Sequence, residues 1–166
     1  MAKLNTIQIL LSLAANYDWP CQQLDIKNAF LNGELEEEVY TVVPPGLEQG
    51  SSNKVCQLKK ALYGLKQSPR AWFERLLRVV KQYGYPQGHL DHTMFYKSTD
   101  EGKIIVLIVY VDDMILIGNN HVEIEALKKI LAKEFEVKDL GALRYFLGTE
   151  IAKKKNGISV SKKNTL

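Results

Sequence analysis

The chain has 166 residues, of which 46% are hydrophobic and 25% are charged, and its formal net charge is +3. This length fits one domain with a sizeable core, and the composition is ordinary for a soluble globular protein. The mild net charge does not by itself indicate a nucleic-acid partner. No apolar run approaches the length of a membrane span and no signal-peptide pattern opens the chain, so we predict a soluble intracellular protein without a membrane partner.

Basic residues are nevertheless concentrated in two stretches. Five lysines and arginines and no acid lie between Glu48 and Glu74, and five lysines and no acid follow Glu150. Such stretches could neutralise phosphates, although solvated surface lysines explain each of them equally well.

The first half of the chain predicts a helix followed by short strands. Apolar residues recur at helical spacing from Leu4 to Ala14. Pro44 and Pro45, followed by glycine, mark the end of a strand. The predicted elements after the first helix are a strand over 21–26, a short helical piece over 28–33, and strands over 39–43 and 55–58.

The second half contains two further helices with clear end signals. Ser68 is an N-cap candidate before Pro69, and Gly84 is a C-terminal stop. The next helix is predicted to start near Asn120, with Glu123 as a capping-box partner. Strands are predicted over 93–97, 104–111 and 114–117, and a final hairpin is predicted around Asn156-Gly157.

The order of these elements predicts an α+β fold. In this fold, helices pack on one face of an antiparallel sheet. We expect one domain over residues 1–166 that is cut from something longer.

Two adjacent acids, Asp112 and Asp113, separate two apolar runs that extend from Ile104 to Gly118. Two apolar strands joined tightly form a hairpin, and the acids then lie at its tip. Aspartate is also a common turn residue, so an isolated pair would usually mean no more than a turn. Here, however, the turn lacks glycine and both strands are apolar on both faces, which indicates layers packed against the hairpin. Adjacent carboxylates near such a core repel each other unless a cation lies between them, and hard oxygen ligands suit Mg²⁺.

A third acid, Asp25, lies at the end of the first predicted strand. An acid at a strand end beside an acidic hairpin tip is the arrangement that two-metal phosphoryl transfer requires. Taken alone, Asp25 is equally well explained as a helix N-cap, so its assignment depends on the combination.

Four blocks of the sequence resemble the reverse transcriptase of copia-type long-terminal-repeat retrotransposons, in the order of that family and over nearly the whole chain. The blocks are Leu24–Gly33 (LDIKNAFLNG), Leu62–Trp72 (LYGLKQSPRAW), Tyr110–Asp113 (YVDD) and Phe146–Gly148 (FLG). The resemblance implies a palm-like antiparallel sheet with partial fingers and an absent thumb. It implies RNA-directed DNA synthesis, in which deoxynucleotides are added to a primer 3′-hydroxyl on two Mg²⁺ ions, with Mn²⁺ as a substitute.

The resemblance also implies site residues. Asp25, Asp112 and Asp113 would be the catalytic metal-binding acids, and the carbonyl of Ile26 would be a further ligand. Lys133 and Lys138 are the candidates for the lysine that protonates the pyrophosphate, and the sequence favours neither. Phe30 would be the steric gate that rejects ribonucleotides, although a core aromatic is the competing interpretation. The residues implied to contact the nucleotide are Asn28, Ala29, Phe30, Gly64 and Lys66, and those implied to contact primer or template are Tyr63, Arg70, Tyr110, Val111, Phe146, Leu147 and Gly148. For Lys66 and Arg70, a solvated-surface role explains the residue nearly as well.

The partners implied are an RNA or DNA template-primer, deoxynucleotides and the rest of a polyprotein with fingers, thumb, RNase H and integrase. The implied location is the cytoplasm, in the virus-like particle of the element, or the nucleus. In this family the fingers and the thumb position the two substrates. We therefore expect the isolated chain, without them, to extend a primer weakly or not at all.

Two other classes of protein are compatible with parts of the pattern. A non-enzymatic remnant of a retrotransposon would fold and bind nucleic acid or a partner. A receiver-type signalling domain also clusters acids around Mg²⁺, but it has its acid pair on the first strand and a lone acid later, which is the reverse of the order here.

Overall fold

A computed structural model describes residues 3–47, 53–154 and 157–162. The chain forms two compact units, one comprising Met1–Lys27 with Val79–Leu166 and the other comprising Asn28–Arg78. Within the described ranges, no helix is long and apolar enough to cross a membrane.

The chain contains three α-helices, one 3₁₀ turn and ten strands within its described residues. In chain order they are α1 (Leu4–Asn16), β1 (Cys21–Ile26), the 3₁₀ turn (Ala29–Asn32), β2 (Glu34–Val42), β3 (Val55–Lys60), α2 (Ser68–Gln82), β4 (Met94–Ser98), β5 (Ile104–Tyr110), β6 (Asp113–Gly118), α3 (His121–Glu134), β7 (Val137–Ala142), β8 (Tyr145–Phe146), β9 (Thr149–Lys154) and β10 (Gly157–Lys162).

The first unit is built around a five-stranded sheet in the order β4-β5-β6-β1-β7, in which every neighbouring pair is antiparallel. Its central strands are buried on both faces, since consecutive residues such as Ile115 and Leu116 are fully inaccessible to solvent. This burial agrees with the near-continuous apolar runs of β5 and β6, because alternate side chains of a strand point to opposite faces. The predicted α+β class with an antiparallel sheet is confirmed.

One face of this sheet is covered by α1. The buried residues of α1 pack in one cluster with side chains of β5 and β6, including Ile108, Ile115 and Ile117. Leu143, Phe146 and Ile151, from the segment around β8 and β9, join the same cluster.

The helix α3 packs against β6, and its buried residues Ile124, Leu127 and Leu131 do not belong to the α1 cluster. We infer that α3 covers the opposite face, so helices contact the sheet from both sides and not from one side only. The α3 start agrees with its sequence, because the Asn120 side chain accepts a hydrogen bond from the Glu123 backbone N–H at 3.2 Å.

The ends of α2 agree with the sequence only in part. The Gly84 and Tyr85 N–H groups donate to the carbonyls of Lys81 and Val80, which is the pattern of a Schellman stop. Ser68, in contrast, is already the first helical residue, and its hydroxyl donates to the carbonyl of Leu62. The predicted N-cap role of Ser68 is therefore wrong, because Ser68 lies within the helix and not before it.

The second unit consists of the 3₁₀ turn, the antiparallel β2–β3 ribbon and most of α2. Gly33 leads from the turn into β2 beside the α2 backbone, and a Cβ atom there would lie 2.7 Å from the Trp72 nitrogen. Glycine is therefore required at position 33 by close packing, since its backbone is an ordinary extended one.

The last strands form a separate three-stranded sheet in the order β10-β9-β8. Gly157 pairs with Lys154, so the predicted final hairpin is present, although Asn156 itself lies outside the described residues.

A first prediction concerns Gly118, at the end of β6. A Cβ atom at this position would lie 2.1 Å from the Ile104 carbonyl oxygen, a backbone atom that cannot rotate away. Replacing Gly118 with alanine should therefore lower the free energy of unfolding by about 1–3 kcal/mol, as in other overpacked sites. Urea unfolding of the purified chain measures this value. The exposed Ser98→Ala, at the end of β4, is the control and should change it by less than about 0.5 kcal/mol; equal stability of the two variants would contradict the prediction.

Candidate active site

The β5–β6 hairpin places an acid pair at one end of the central sheet. Tyr110 and Asp113 form the last cross-strand pair, so Val111 and Asp112 are the two turn residues. Val111 has a φ of +55°, which a two-residue hairpin turn requires at its first position. A β-branched residue rarely adopts this conformation, and such strain is a common feature of functional sites.

Strand β1 brings Asp25 to the same end of the sheet. Asp25 pairs directly with Asp113, and the next residue, Ile26, donates its N–H to the Asp112 carbonyl at 2.8 Å. Side chains of directly opposed residues share one face, with Cβ atoms about 4.5–5.5 Å apart. The pairing of β1 with β6 therefore brings together the three acids that were predicted from distant parts of the sequence.

The electrostatics of the three acids favour a cation. Partial burial raises the pKa of Asp113, and the negative charges of Asp112 and Asp25 raise it further, while hydrogen bonding from Gln23 opposes the shift. Like charges directly opposed on a sheet destabilise it. Carboxylate oxygens of this kind are the ligands that Mg²⁺ prefers, so the donor set fits a hard divalent ion. Across residues 3–47, 53–154 and 157–162, however, no three or more acid, histidine or cysteine side chains converge closely enough to hold an ion as they stand.

A lysine lies beside this acidic group on the outer strand β7. Lys138 is the direct cross-strand partner of Asp25, whereas Lys133 lies in the last turn of α3. Lys27, which follows β1, forms an ion pair with Glu136, and this contact raises the pKa of the lysine.

Two of the sequence blocks were assigned to the primer, and the block Phe146–Gly148 lies close to the block Tyr110–Asp113. The Phe146 ring is buried and meets the Tyr110 ring edge-on, with centroids 6.2 Å apart. Leu147 and Gly148 form the β8–β9 turn with φ values of +51° and +72°, a pattern that defines a type I′ turn. Leucine is an uncommon residue in this position, so the tip of this hairpin is strained like that of the first.

The residues assigned to the nucleotide lie in the second unit. Asn28 has a left-handed backbone, and the 3₁₀ turn that follows contains Ala29 and Phe30, both buried. The Phe30 ring packs on the Tyr63 ring with centroids 4.4 Å apart. This packing fits the core-aromatic interpretation of Phe30, and its role as a gate stays a prediction.

The remaining assigned residues of the second unit are exposed. Gly64 has a φ of +92°, and Lys66 two residues later faces solvent. Arg70 forms an ion pair with Glu74 one helical turn away, at 2.8 Å. Contacts of these three residues with template or nucleotide stay predictions.

Sequence reasoning missed Gln23 at the acidic site and did not decide between Lys138 and Lys133. Gln23 is buried and its amide nitrogen lies 3.3 Å from an Asp113 carboxylate oxygen. Lys138 was considered only as one of two candidate proton donors, without a reason to prefer it to Lys133. The spacing of Gln23, two residues before Asp25 on a strand, was the available indication that both share a face.

Comparisons with known proteins agree with this geometry. The sequence profile of the family described as reverse transcriptase (RNA-dependent DNA polymerase) matches residues 1–166. The retrovirus-related Pol polyprotein from transposon TNT 1-94 of Nicotiana tabacum is 41% identical over 156 residues, which are 93% of this chain and 12% of that protein. The Pol polyprotein from transposon RE1 of Arabidopsis thaliana is 40% identical over 162 residues, which are 97% of this chain and 11% of that protein.

A more distant similarity is found in yeast. The transposon Ty1-NL2 Gag-Pol polyprotein of Saccharomyces cerevisiae is 35% identical over 131 residues, which are 77% of this chain and 7% of that protein. The chain thus spans about an eighth or less of each of these relatives. Together with the acid group at the tip of an antiparallel sheet, these matches show that the chain belongs to the reverse transcriptase (RNA-dependent DNA polymerase) family.

Proposed function

We propose that this chain provides the catalytic metal centre of an RNA-directed DNA polymerase of a copia-type retrotransposon. The observation that carries the proposal is the direct pairing of Asp25 with Asp113 beside the Asp112 turn, which gathers three carboxylates on one sheet end. Because the chain covers only 11–12% of its plant relatives, the activity, substrates and partners of a whole polyprotein are part of the proposal.

The reaction is the attack of a primer 3′-hydroxyl on the α-phosphate of a deoxynucleotide, which forms a phosphodiester bond and releases pyrophosphate. Two divalent ions, when bound, lower the pKa of the attacking hydroxyl and neutralise the charge on the leaving group. Asp25 and Asp112 would hold both ions, the carbonyl of Ile26 would bind the ion on the nucleotide side, and Asp113 would contribute less directly. Mg²⁺ is the ion we propose, with Mn²⁺ as a substitute.

The surrounding residues have roles in binding and orientation. Tyr110, Val111 and the turn at 146–148 would orient the primer end, and the edge contact between the Tyr110 and Phe146 rings supports a joint role. Lys138 is the better placed of the two lysines to protonate the pyrophosphate, because it is opposite Asp25 in the register.

The second unit would contact the incoming nucleotide and the template. Asn28, Ala29, Phe30, Gly64 and Lys66 are proposed to contact the nucleotide. Tyr63 and Arg70 are proposed to contact the template. Among the described residues, no atom lies within 4 Å of the point where a Cβ would stand at Gly64, and this open backbone supports a close approach of a ligand there.

The partners that we propose are an RNA or DNA template-primer, deoxynucleotides and the other domains of a polyprotein, among them fingers, thumb, RNase H and integrase. The proposed location is the cytoplasmic particle of the element or the nucleus. The names of the relatives, which are Pol and Gag-Pol polyproteins, support the association with further domains. No observation on the described residues favours the non-enzymatic alternative.

The central test replaces Asp112 with alanine in a polyprotein that carries this chain. Loss of a metal-binding carboxylate should lower complementary-DNA synthesis by about a hundredfold or more, since charge stabilisation at a reacting phosphate is lost. The assay is primer extension on an RNA template. Asp100→Ala, in an exposed turn before the end of β5 that is opposite to Asp112, removes a carboxylate away from the site and should retain full activity. Synthesis at the wild-type rate by the Asp112 variant would refute the metal assignment.

A second test addresses nucleotide selection by Phe30. If its ring excludes a 2′-hydroxyl, Phe30→Val should raise the efficiency of ribonucleotide incorporation relative to deoxynucleotide incorporation by about tenfold or more. The readout is the ratio of the two kcat/KM values, because partial unfolding lowers both values together and leaves their ratio unchanged. An unchanged ratio would favour the interpretation of Phe30 as a core aromatic.

A third test measures the cost of the Asp113 charge, which is set first by partial burial and then by the neighbouring acids, without using catalysis. Because Asp113 has a raised pKa in the folded protein, its charge destabilises the fold; this penalty is complete above the raised pKa and disappears as the pH falls to the ordinary carboxyl value. At neutral pH in EDTA, Asp113→Asn should therefore raise the melting temperature by a few degrees. The gain should shrink when Mg²⁺ is added or when the pH is lowered.

The matched control for this test is Asp100→Asn, which removes an exposed charge and should leave the melting temperature unchanged. A lower melting temperature for Asp113→Asn than for the unaltered chain in EDTA would contradict the proposed cost of the Asp113 charge.

A further inference from the structure

Gln23 is one of few buried polar residues in the described part of the chain, with 8% of its surface exposed. It lies on β1 two residues before Asp25, so both side chains point to the same face of the sheet. Its amide nitrogen Nε2 donates to Oδ1 of Asp113 at 3.3 Å. The contact joins two neighbouring strands directly beside the acidic group.

This hydrogen bond constrains what Asp113 can do. The Gln23 amide binds Oδ1 of Asp113, so the other carboxylate oxygen would bind a metal ion. An amide N–H can only donate, so this contact holds one Asp113 oxygen and fixes the orientation of the carboxylate. Without this donor, the Asp113 carboxylate could rotate away from the two like charges beside it.

We propose that Gln23 is a positioning residue for metal binding, which holds the Asp113 carboxylate in the orientation that completes the site. The proposal rests on the proposed function, since it assumes that the three acids bind divalent ions. Partners that orient a metal-binding side chain commonly affect metal affinity by about 10–100-fold when they are removed.

The neighbouring residue Gln22 provides a matched control. It lies on the same strand with the same side chain but points to the opposite face, where its Oε1 atom is buried without a hydrogen-bond partner among the described residues. If glutamine mattered in β1 only through packing or strand propensity, replacing Gln22 and replacing Gln23 would have the same effect.

The experiment measures Mn²⁺ binding to the 166-residue chain by electron paramagnetic resonance, in which free Mn²⁺ gives a signal that decreases on binding. The variants are Gln23→Met, Gln23→Asn, Gln22→Met and Asp25→Asn, and Gln23→Met is also made in an Asp113→Asn background. Methionine keeps the size of glutamine without the amide. Asparagine keeps the amide but is one methylene too short to make the contact, and it serves as the second variant if the first does not fold.

We expect Gln23→Met and Gln23→Asn to raise the Mn²⁺ dissociation constant by about tenfold or more, and Gln22→Met to change it by less than about twofold. In the Asp113→Asn background, Gln23→Met should have no further effect, because the carboxylate through which it acts is gone. Melting temperatures are measured in parallel, and each comparison uses variants whose circular dichroism matches that of the unaltered chain.

The outcomes separate the two levels of the proposal. If Asp25→Asn weakens binding but Gln23→Met and Gln23→Asn do not, the role of Gln23 is refuted and the metal centre stands. If Gln23→Met weakens binding equally in both backgrounds, Gln23 acts through another group and the inference is again refuted. If the unaltered chain binds no Mn²⁺, or Asp25→Asn binds it as tightly, the proposed function fails and this inference fails with it.

Discussion

The antiparallel pairing of β1 with β6 is the constraint on which the site depends. Asp25 and Asp113 are separated by about half of the chain, and only this register places them opposite each other. Because side chains alternate along a strand, a slip of one residue would send Asp25 to the other face of the sheet. Fully buried residues on both strands, such as Leu24 and Met114, prevent this slip, since they would then have to exchange faces. The apolar core thus determines the position of the acids.

This core also tolerates unfavourable local features. The acids repel each other, and the hairpin tips at Val111 and Leu147 adopt backbone conformations that their side chains disfavour, at a cost of about 1–3 kcal/mol for each strained residue. The adjoining strands offset these costs through burial, with Phe146 packed in the same cluster as Ile108 and Ile115. Strain and charge repulsion are concentrated at the tip of the β5–β6 hairpin and at the turn between β8 and β9, which is typical of a site whose geometry serves a ligand.

Local patterns in the sequence predicted much of this fold. The apolar runs around Asp112 and Asp113 predicted the hairpin, and Gly84 and Asn120 predicted helix ends, because each of these features depends on residues near one another in the chain. The pairing of β7 with β1 was not predicted, and with it the position of Lys138 opposite Asp25. The pairing of strands that are distant in the chain depends on the packing of the whole sheet, and no short sequence pattern predicts its register. The role of Gln23 was missed for the same reason, since its partner lies 90 residues away.

The backbone at Val111 has a consequence for how the YVDD block should be understood. The first turn residue, Val111, disfavours the backbone conformation that the turn requires, so the tetrapeptide does not fully encode its own shape and receives it from the strands on either side. The same four residues, placed in another loop, would therefore adopt a different turn, and their carboxylates would point in other directions. A YVDD motif in an unrelated sequence therefore indicates a metal site only when a buried strand that ends in an acid pairs with the hairpin.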